Sequence, residues 1–325
     1  MPEKSPIAVM CGGVGAARFL RGLIDAVDEP GSITAVVNTG DDCTLHGLAI
    51  SPDLDTITYT LAGAIDPERG WGLVDETWRA MESLERFEAV RPDGSAAAPR
   101  WFNLGDRDLA THFYRTARLA EGASLTDVTD EIRRAWNVPI RMLPMSDDRL
   151  STLVTVLGPD GQADEISFQD YFVRLRHGVP VGSIRFDGDA GLSEPARRAL
   201  TDATSVVIAP SNPLVSIGPF RSLDGVDDLL AARRNRVVAV SPIVGGAALK
   251  GPADRMLIEL GHEPSVVGVA RLYASIASVL VVDSVDAHHV AAVEAAGMRC
   301  VVTDTVMSTP EIARQLALDT LASLF

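Results

Sequence analysis

Four aspartates, Asp41, Asp42, Asp53 and Asp55, stand within fifteen residues of one another in a glycine-rich stretch. That is more carboxylate than a turn and a helix cap need. Magnesium takes hard oxygen ligands, commonly one or two carboxylates together with substrate phosphates. Asp53 and Asp55 are therefore the expected metal ligands. Ser51-Pro52-Asp53 is also a helix start, which gives Asp53 a second reading as its cap. Arg107, within Leu104-Gly105-Asp106-Arg107-Asp108, places a cation at an expected helix N-terminus, where the dipole disfavours it. A guanidinium fork binds phosphate or carboxylate through parallel hydrogen bonds, so Arg107 is the candidate anion clamp. Asp53, Asp55 and Arg107 make up the expected catalytic set. His112 reads as a packing residue, because no partner completes a triad.

The remaining candidates follow apolar runs. Ile7 to Cys11 reads as a buried strand, Gly12-Gly13-Val14-Gly15 as a turn, and a helix is expected to open at about Gly15. Gly12, Gly13 and Gly15 would let a phosphate approach free backbone amides. The pattern lacks the full G-x-G-x-x-G of dinucleotide binders and the Gly-Lys-Ser/Thr of a Walker loop, and a ligand-free tight turn is the competing reading. Ile33 to Val37 ends in Asn38-Thr39-Gly40-Asp41-Asp42, and Arg141 to Met145 ends in Ser146-Asp147-Asp148. Ser205 to Ala209 leads into Pro210-Ser211-Asn212-Pro213 and on to Ser216, and a later loop ends at Lys250. In an open parallel sheet, ligands bind beyond the carboxyl ends of strands. Asn38, Asp41, Asp42, Met145, Ser146, Asp147, Ser211, Asn212, Pro213, Ser216 and Lys250 are therefore the expected substrate contacts. Turn chemistry accounts equally for the Asn, Asp and Gly residues, and exposure for the lysine.

These loops need a sheet to hold them. Alternating strand and helix patterns predict an α/β protein with a Rossmann-like parallel sheet core over residues 1–63 and 141–325. Helical patterns at Val74 to Phe87, Leu109 to Ala120 and Leu125 to Trp136 predict an inserted, mainly helical smaller lobe at 64–140, broken by a Pro/Gly/Ala-rich loop at 91–99. All four tryptophans fall in that lobe. They read most simply as its core, and alternatively as cover for a flat ligand. Thr152 to Leu157 and Ile166 to Phe168 read as strands joined at Pro159-Asp160-Gly161. The chain has 325 residues and a formal net charge of −15, which argues against a nucleic-acid partner. No apolar run is long enough for a membrane span, three scattered cysteines suggest no disulfide framework, and residues 1–6 show no signal peptide. A cytoplasmic protein is expected.

Taken in order, Gly12-Gly13-Val14-Gly15, Val37-Asn38-Thr39-Gly40-Asp41-Asp42, Ser51-Pro52-Asp53-Leu54-Asp55-Thr56, Leu104 to Asp108, Leu143 to Asp148, Pro210 to Pro213 with Ser216 to Pro219, and Ser241-Pro242-Ile243 resemble the CofD/FbiA family. This is the family of 2-phospho-L-lactate (or phosphoenolpyruvate) transferases of deazaflavin coenzyme F-420 biosynthesis. The resemblance runs across almost the whole chain. Val14 and Ala16-Ala17 depart from the Gly-Gly-Thr-Gly and following Thr-Pro of archaeal-type members. It implies the deazaflavin Fo as acceptor, a guanosine-diphosphate-linked phosphoenolpyruvate or phospholactate as donor, Mg²⁺ as cofactor, GMP as the second product, and a homodimer. It further implies that Asp53 and Asp55 hold the metal and orient the acceptor hydroxyl, one of them serving as general base. Arg107 would steady the transferring group, and the helical lobe would cover the tricyclic ring. Two other readings fit the same core: a sugar-nucleotide-binding regulatory protein of this fold, and a nicotinamide oxidoreductase, whose motifs are missing.

Overall fold

The computed structural model describes residues 6–95, 97–99, 101–158 and 161–325. Residues 1–5, Ala96 of the expected loop, and Pro159 and Asp160 of the expected hairpin turn lie outside the described residues.

Among the described residues, fourteen strands occur in the order β1 (Ile7–Cys11), β2 (Ile33–Val37), β3 (Cys43–Leu45), β4 (Leu48–Ile50), β5 (Arg141–Pro144), β6 (Ser151–Leu157), β7 (Ala163–Ser167), β8 (Val181–Asp187), β9 (Ser205–Ile208), β10 (Val237–Val240), β11 (Ile243–Val244), β12 (Ala247–Ala248), β13 (Val279–Asp283) and β14 (Arg299–Thr303). Seven of them form one sheet in the order β14-β13-β10-β9-β1-β2-β5, with every adjacent pair parallel. The residues of β1, β9, β10 and β13 are all buried, as expected of strands covered on both faces. This is the expected Rossmann-like α/β core.

The chain starts in the middle of this sheet. It runs outward through β2 to β5, then returns and runs the other way from β9. The strand order therefore reverses between β1 and β9, and a crevice opens there at the carboxyl ends. Helix α1 (Gly13–Ala26) starts two residues earlier than the pattern suggested, at Gly13, whose φ of +76° is available to glycine at little cost. Phe19, Leu20 and Leu23 of α1 are fully buried against the sheet, each worth about 1.5–3 kcal/mol of burial.

The β/α alternation is broken in two ways, of which only the β6-β7 pairing was expected. Between β5 and β9 the chain builds a separate antiparallel sheet in the order β7-β6-β8. Two short hairpins, β3-β4 and β11-β12, add flaps beside the crevice. Residues between α2 (Pro52–Leu61) and β5 carry α3 (Arg79–Glu88), α4 (Asp106–Ala120) and α5 (Leu125–Ala135). Met81 and Leu109 pack with Leu45, Ile50 and Leu104 in a small core of their own. Helix α5 instead lies along β5, and Leu125 and Trp136 join the core of the main sheet.

Candidate active site

The crevice at the strand reversal widens into a cavity of about 870 Å³, within the size range of small-molecule sites. Its floor is the β1–α1 turn. Gly12 donates its amide to Ser211 Oγ at 3.2 Å, and that hydroxyl donates to the Gly12 carbonyl at 2.9 Å. The loops after β1 and β9 are thereby tied across the crevice. A side chain at Gly12 would stand 2.5 Å from Asp53 Oδ2, and one at Gly15 would collide with the Pro210 carbonyl oxygen. The glycines are thus demanded by close backbone approach, independently of any phosphate.

Asp53 enters the cavity from the first turn of α2. Its Oδ1 accepts the Gly13 amide at 2.8 Å and its Oδ2 accepts Asn38 Nδ2 at 3.0 Å. Asn38, fully buried at the end of β2, also accepts the Gly40 amide, so it braces Asp53 from behind without lining the cavity. Asp41 lines the cavity beside them, and neither its Oδ1 nor that of Asp42 has a hydrogen-bond partner among the described residues. Asp42 Oδ2 accepts the Ser51 hydroxyl at 2.6 Å. Burial pushes Asp53 up to about 6, against the pull of Asn38 and the Gly13 amide. Burial first, then the neighbouring Asp53 and Asp42 charges, pushes Asp41 well above the carboxylate range, and burial does the same to Asp42. Crowded buried carboxylates with free oxygens are a site that lacks positive charge. Their hard oxygen donors suit a divalent cation such as Mg²⁺.

Asp55 sits differently from its expected role. Arg115 of α4 donates from both terminal nitrogens to its two oxygens, in a pair 2% and 7% exposed. Asp55, Asp108 and His112 bring ligand atoms within 4.8 Å of one another. The Arg115 guanidinium fills that cluster, however, with Nη1 also 3.2 Å from His112 Nδ1. Asp55 already has its positive partner, which leaves Asp53 and Asp41 as the better cation seat.

Asn212, Ser216 and Lys250 reach the cavity, as do Gly13 and Ser211. Seven expected site residues do not, among them Asn38, which stands behind Asp53, and Asp42, which accepts the Ser51 hydroxyl. Arg107 is exposed, and its Nη1 donates to the Val74 carbonyl at 2.6 Å. Met145 is buried in the core below the sheet edge. Ser146 is fully buried and accepts the Asp148 amide. Asp147 caps α5, accepting the Thr126 amide at 2.7 Å and its hydroxyl at 3.1 Å. Pro213 lines a separate depression with Phe186 and Arg221. The strand-end rule failed for residues 145–147 because β5 is the edge strand, remote from the reversal.

Several lining residues went unread. Arg18, in the second turn of α1, and Lys250 are cations with no ion-pair partner among the described residues. Trp71, Trp101, Phe102, Phe168 and Phe172 form aromatic walls from both sides. Trp71 is 43% exposed, so it is no core residue. Arg69 lies 5.5 Å from the centre of its ring and pairs with Asp66 and Glu76. Helical spacing of Asp108, His112 and Arg115 was a usable signal for one face of α4; their partner Asp55 was not readable.

A family model described as 2-phospho-L-lactate transferase CofD matches residues 7–321. A protein of Kitasatospora aureofaciens named phosphoenolpyruvate transferase is 41% identical over 320 residues, covering 97% of each chain. One of the same name from Streptomyces griseus is 43% identical over 320 residues, 95% of this chain and 96% of its own. Another from Mycolicibacterium smegmatis is 40% identical over 316 residues, 94% of each. A crystal structure of a Bacillus halodurans protein superposes with a TM-score of 0.61 at 17% identity, over 98% of this chain and 100% of that one, a likeness of fold alone.

Proposed function

The chain belongs to the CofD family of 2-phospho-L-lactate transferases, and on that premise we propose that this transferase moves a phosphoenolpyruvyl (or 2-phospho-L-lactyl) group from a guanosine-diphosphate-linked donor to the terminal ribityl hydroxyl of Fo, releasing GMP. The relatives' names favour the enolpyruvyl donor. The observation that carries the reading is one cavity wall shared by the glycine turn, the under-neutralised carboxylates and an aromatic face.

Asp53 and Asp41 would hold Mg²⁺, which supplies the positive charge that a splitting diphosphate needs. The Gly12 and Gly13 amides are already given to Ser211 and Asp53, so the glycine turn would serve by close approach, letting a diphosphate reach the positive end of the α1 dipole. Asn212 and Ser216 are polar groups for the guanosine half, and Ser211 fixes the loop that carries them. Arg18 and Lys250 take the anion-contact role expected of Arg107. Trp71, Trp101 and Phe102 of the inserted segment offer flat apolar surface to a tricyclic ring. Phosphoryl transfer asks mainly for positioning and charge stabilisation, which this wall can supply without a covalent intermediate.

The test is incubation with Fo, the guanosine-linked donor and Mg²⁺, followed by chromatography with fluorescence detection. Conversion of Fo to a phosphorylated deazaflavin with matching GMP, abolished by EDTA, is the expected result. Binding of a sugar nucleotide without turnover would replace the transferase reading with a regulatory one.

A further inference from the structure

Resting on the Fo reading, we propose that Asp108 accepts the proton of the attacking hydroxyl, and that His112 is the residue that positions it. In the transfer the hydroxyl oxygen bonds to the phosphorus bearing the three-carbon acid. The bond from that phosphorus to the GMP oxygen breaks, its electron pair leaves with GMP, and the hydroxyl proton must go elsewhere.

Four aspartates line the cavity, Asp41, Asp53, Asp55 and Asp108. Asp41 and Asp53 are committed to the cation in the reading above. Both oxygens of Asp55 are occupied by Arg115. Asp108 is arranged otherwise. Its Oδ1 accepts the Tyr59 hydroxyl at 2.7 Å and lies 3.2 Å from His112 Nε2. Its Oδ2 has no partner among the described residues, and the side chain is 14% exposed on the cavity wall. One oxygen is anchored and the other is free for a ligand.

The anchor is itself built. His112 is 1% exposed, and its Nδ1 stands 3.2 Å from Arg115 Nη1. An arginine can only donate, so Nδ1 accepts and the ring proton sits on Nε2, 3.2 Å from Asp108 Oδ1 in a contact that is electrostatic, short of hydrogen-bond geometry. A buried line from Asp55 through Arg115 and His112 thus ends at Asp108 Oδ1, with Tyr59 closing it from α2. The bland role of a first-turn acid does not require this, since α4 has its N-cap at Gly105 and no side chain capping it. The charged and titratable groups around Asp108 are Tyr59, His112, Arg115, Glu76 and Asp55, the last neutralised by Arg115. Burial pushes the Asp108 carboxyl up, but His112 and the Tyr59 hydroxyl hold it below its usual value, so it is ionised at neutral pH. A weak base suffices, because the loose transition state of phosphoryl transfer leaves the hydroxyl proton in place until late.

The experiment compares wild type, Asp108→Asn, Asp108→Glu and His112→Gln with Fo, the donor and Mg²⁺, measuring kcat, KM for Fo and Fo binding by fluorescence. Asp108→Asn is expected to lose about 10²–10⁴ in kcat while Fo binding changes less than about threefold. Asp108→Glu, which keeps the base, should fall between the two. His112→Gln should lower kcat about tenfold at unchanged KM and move the acid limb of the kcat profile to higher pH, since losing the imidazole beside it raises the Asp108 pKa. Wild-type turnover with an Asp108→Asn kcat within about fivefold, or a loss confined to KM, overturns the proton role while leaving the Fo reading standing. Absence of Fo turnover by the wild type overturns both.

Discussion

Arg115 is the largest fully buried side chain of the molecule, and it is charged. It tolerates burial because Asp55 meets its fork in full and His112 takes a further N–H. Replacing such a pair together can be nearly neutral, whereas removing one partner strands a buried charge. Arg115→Met should therefore cost about 3–5 kcal/mol of unfolding free energy, and Asp55→Asn a similar amount. The double variant should cost less than the sum of the two, as read from urea midpoints at constant m. Additive losses would show that the two groups are not coupled. Gly12 makes the opposite demand. An added methyl would press on Asp53 Oδ2 at 2.5 Å and on Ser216 Cβ at 3.1 Å, both on the cavity wall. Its backbone is extended, at φ −165°, so no conformational strain enters. Gly12→Ala should cost about 1–3 kcal/mol by overpacking and depress turnover more than stability, because Asp53 is what moves. Thermal melts beside initial rates would check it.

At the scale of elements, the cavity rim depends on one carboxylate at the end of β13. Asp283 Oδ2 accepts the Thr305 amide at 2.7 Å and its hydroxyl at 3.0 Å, while Oδ1 accepts the Val285 amide at 3.1 Å. This fixes the loop after β14, whose Thr305 to Ser308 line the cavity. Burial pushes Asp283 up, but the Thr305 and Val285 amides hold it below its ordinary value of 3.8. A depressed folded-state pKa stabilises the fold above the unfolded value and loses that contribution as pH falls through the folded one. The stability gap between wild type and Asp283→Asn should therefore be constant from about pH 5 to 7 and narrow below about pH 4. A gap that widened in acid would refute this. That anchor was invisible in the sequence, because it joins residues twenty-two apart through a loop of no regular pattern. What was legible were elements with local signatures: the buried runs of β1, β2, β9, β10 and β13, and the Pro52 start of α2. The pairing of β6 with β7 was legible as a hairpin, but β8, which completes that sheet, and the β3-β4 and β11-β12 hairpins were missed, since their pairing is not marked by any local pattern. The same limit explains the site residues. Gly12 and Ser211 follow from strand ends at the reversal and Asp53 from the acid-rich helix start, whereas Trp71 and Arg18 reach the cavity, and Arg115 reaches Asp55 behind it, by tertiary placement alone.

For the molecule as a whole, the surplus of acid has two components. Most of the formal charge of −15 is carried by exposed side chains, where solvent screens it. Asp41, Asp42 and Asp53 are buried or half-buried around one point, and their mutual repulsion is unscreened there. Asp42 draws some relief from the Arg115 charge, whereas Asp41 has only the nearby polar side chains of Thr152 and Asn38 to favour its ionised form. Keeping such a cluster works against folding, and proteins retain such arrangements where function requires them. The cluster thus links stability to the proposed cation. Asp41→Asn preserves shape and removes one charge, so in metal-free buffer near pH 7.5 it should raise the melting temperature by roughly 1–2 °C, equivalent to about 1 kcal/mol. Mg²⁺ should raise the wild-type melting temperature in a concentration-dependent way and the variant's much less, because the ion stabilises only the form that binds it. The variant should also lose turnover despite its greater stability. A less stable Asp41→Asn, or equal Mg²⁺ shifts in both proteins, would mean that the strain at this point is not electrostatic and that the cation sits elsewhere.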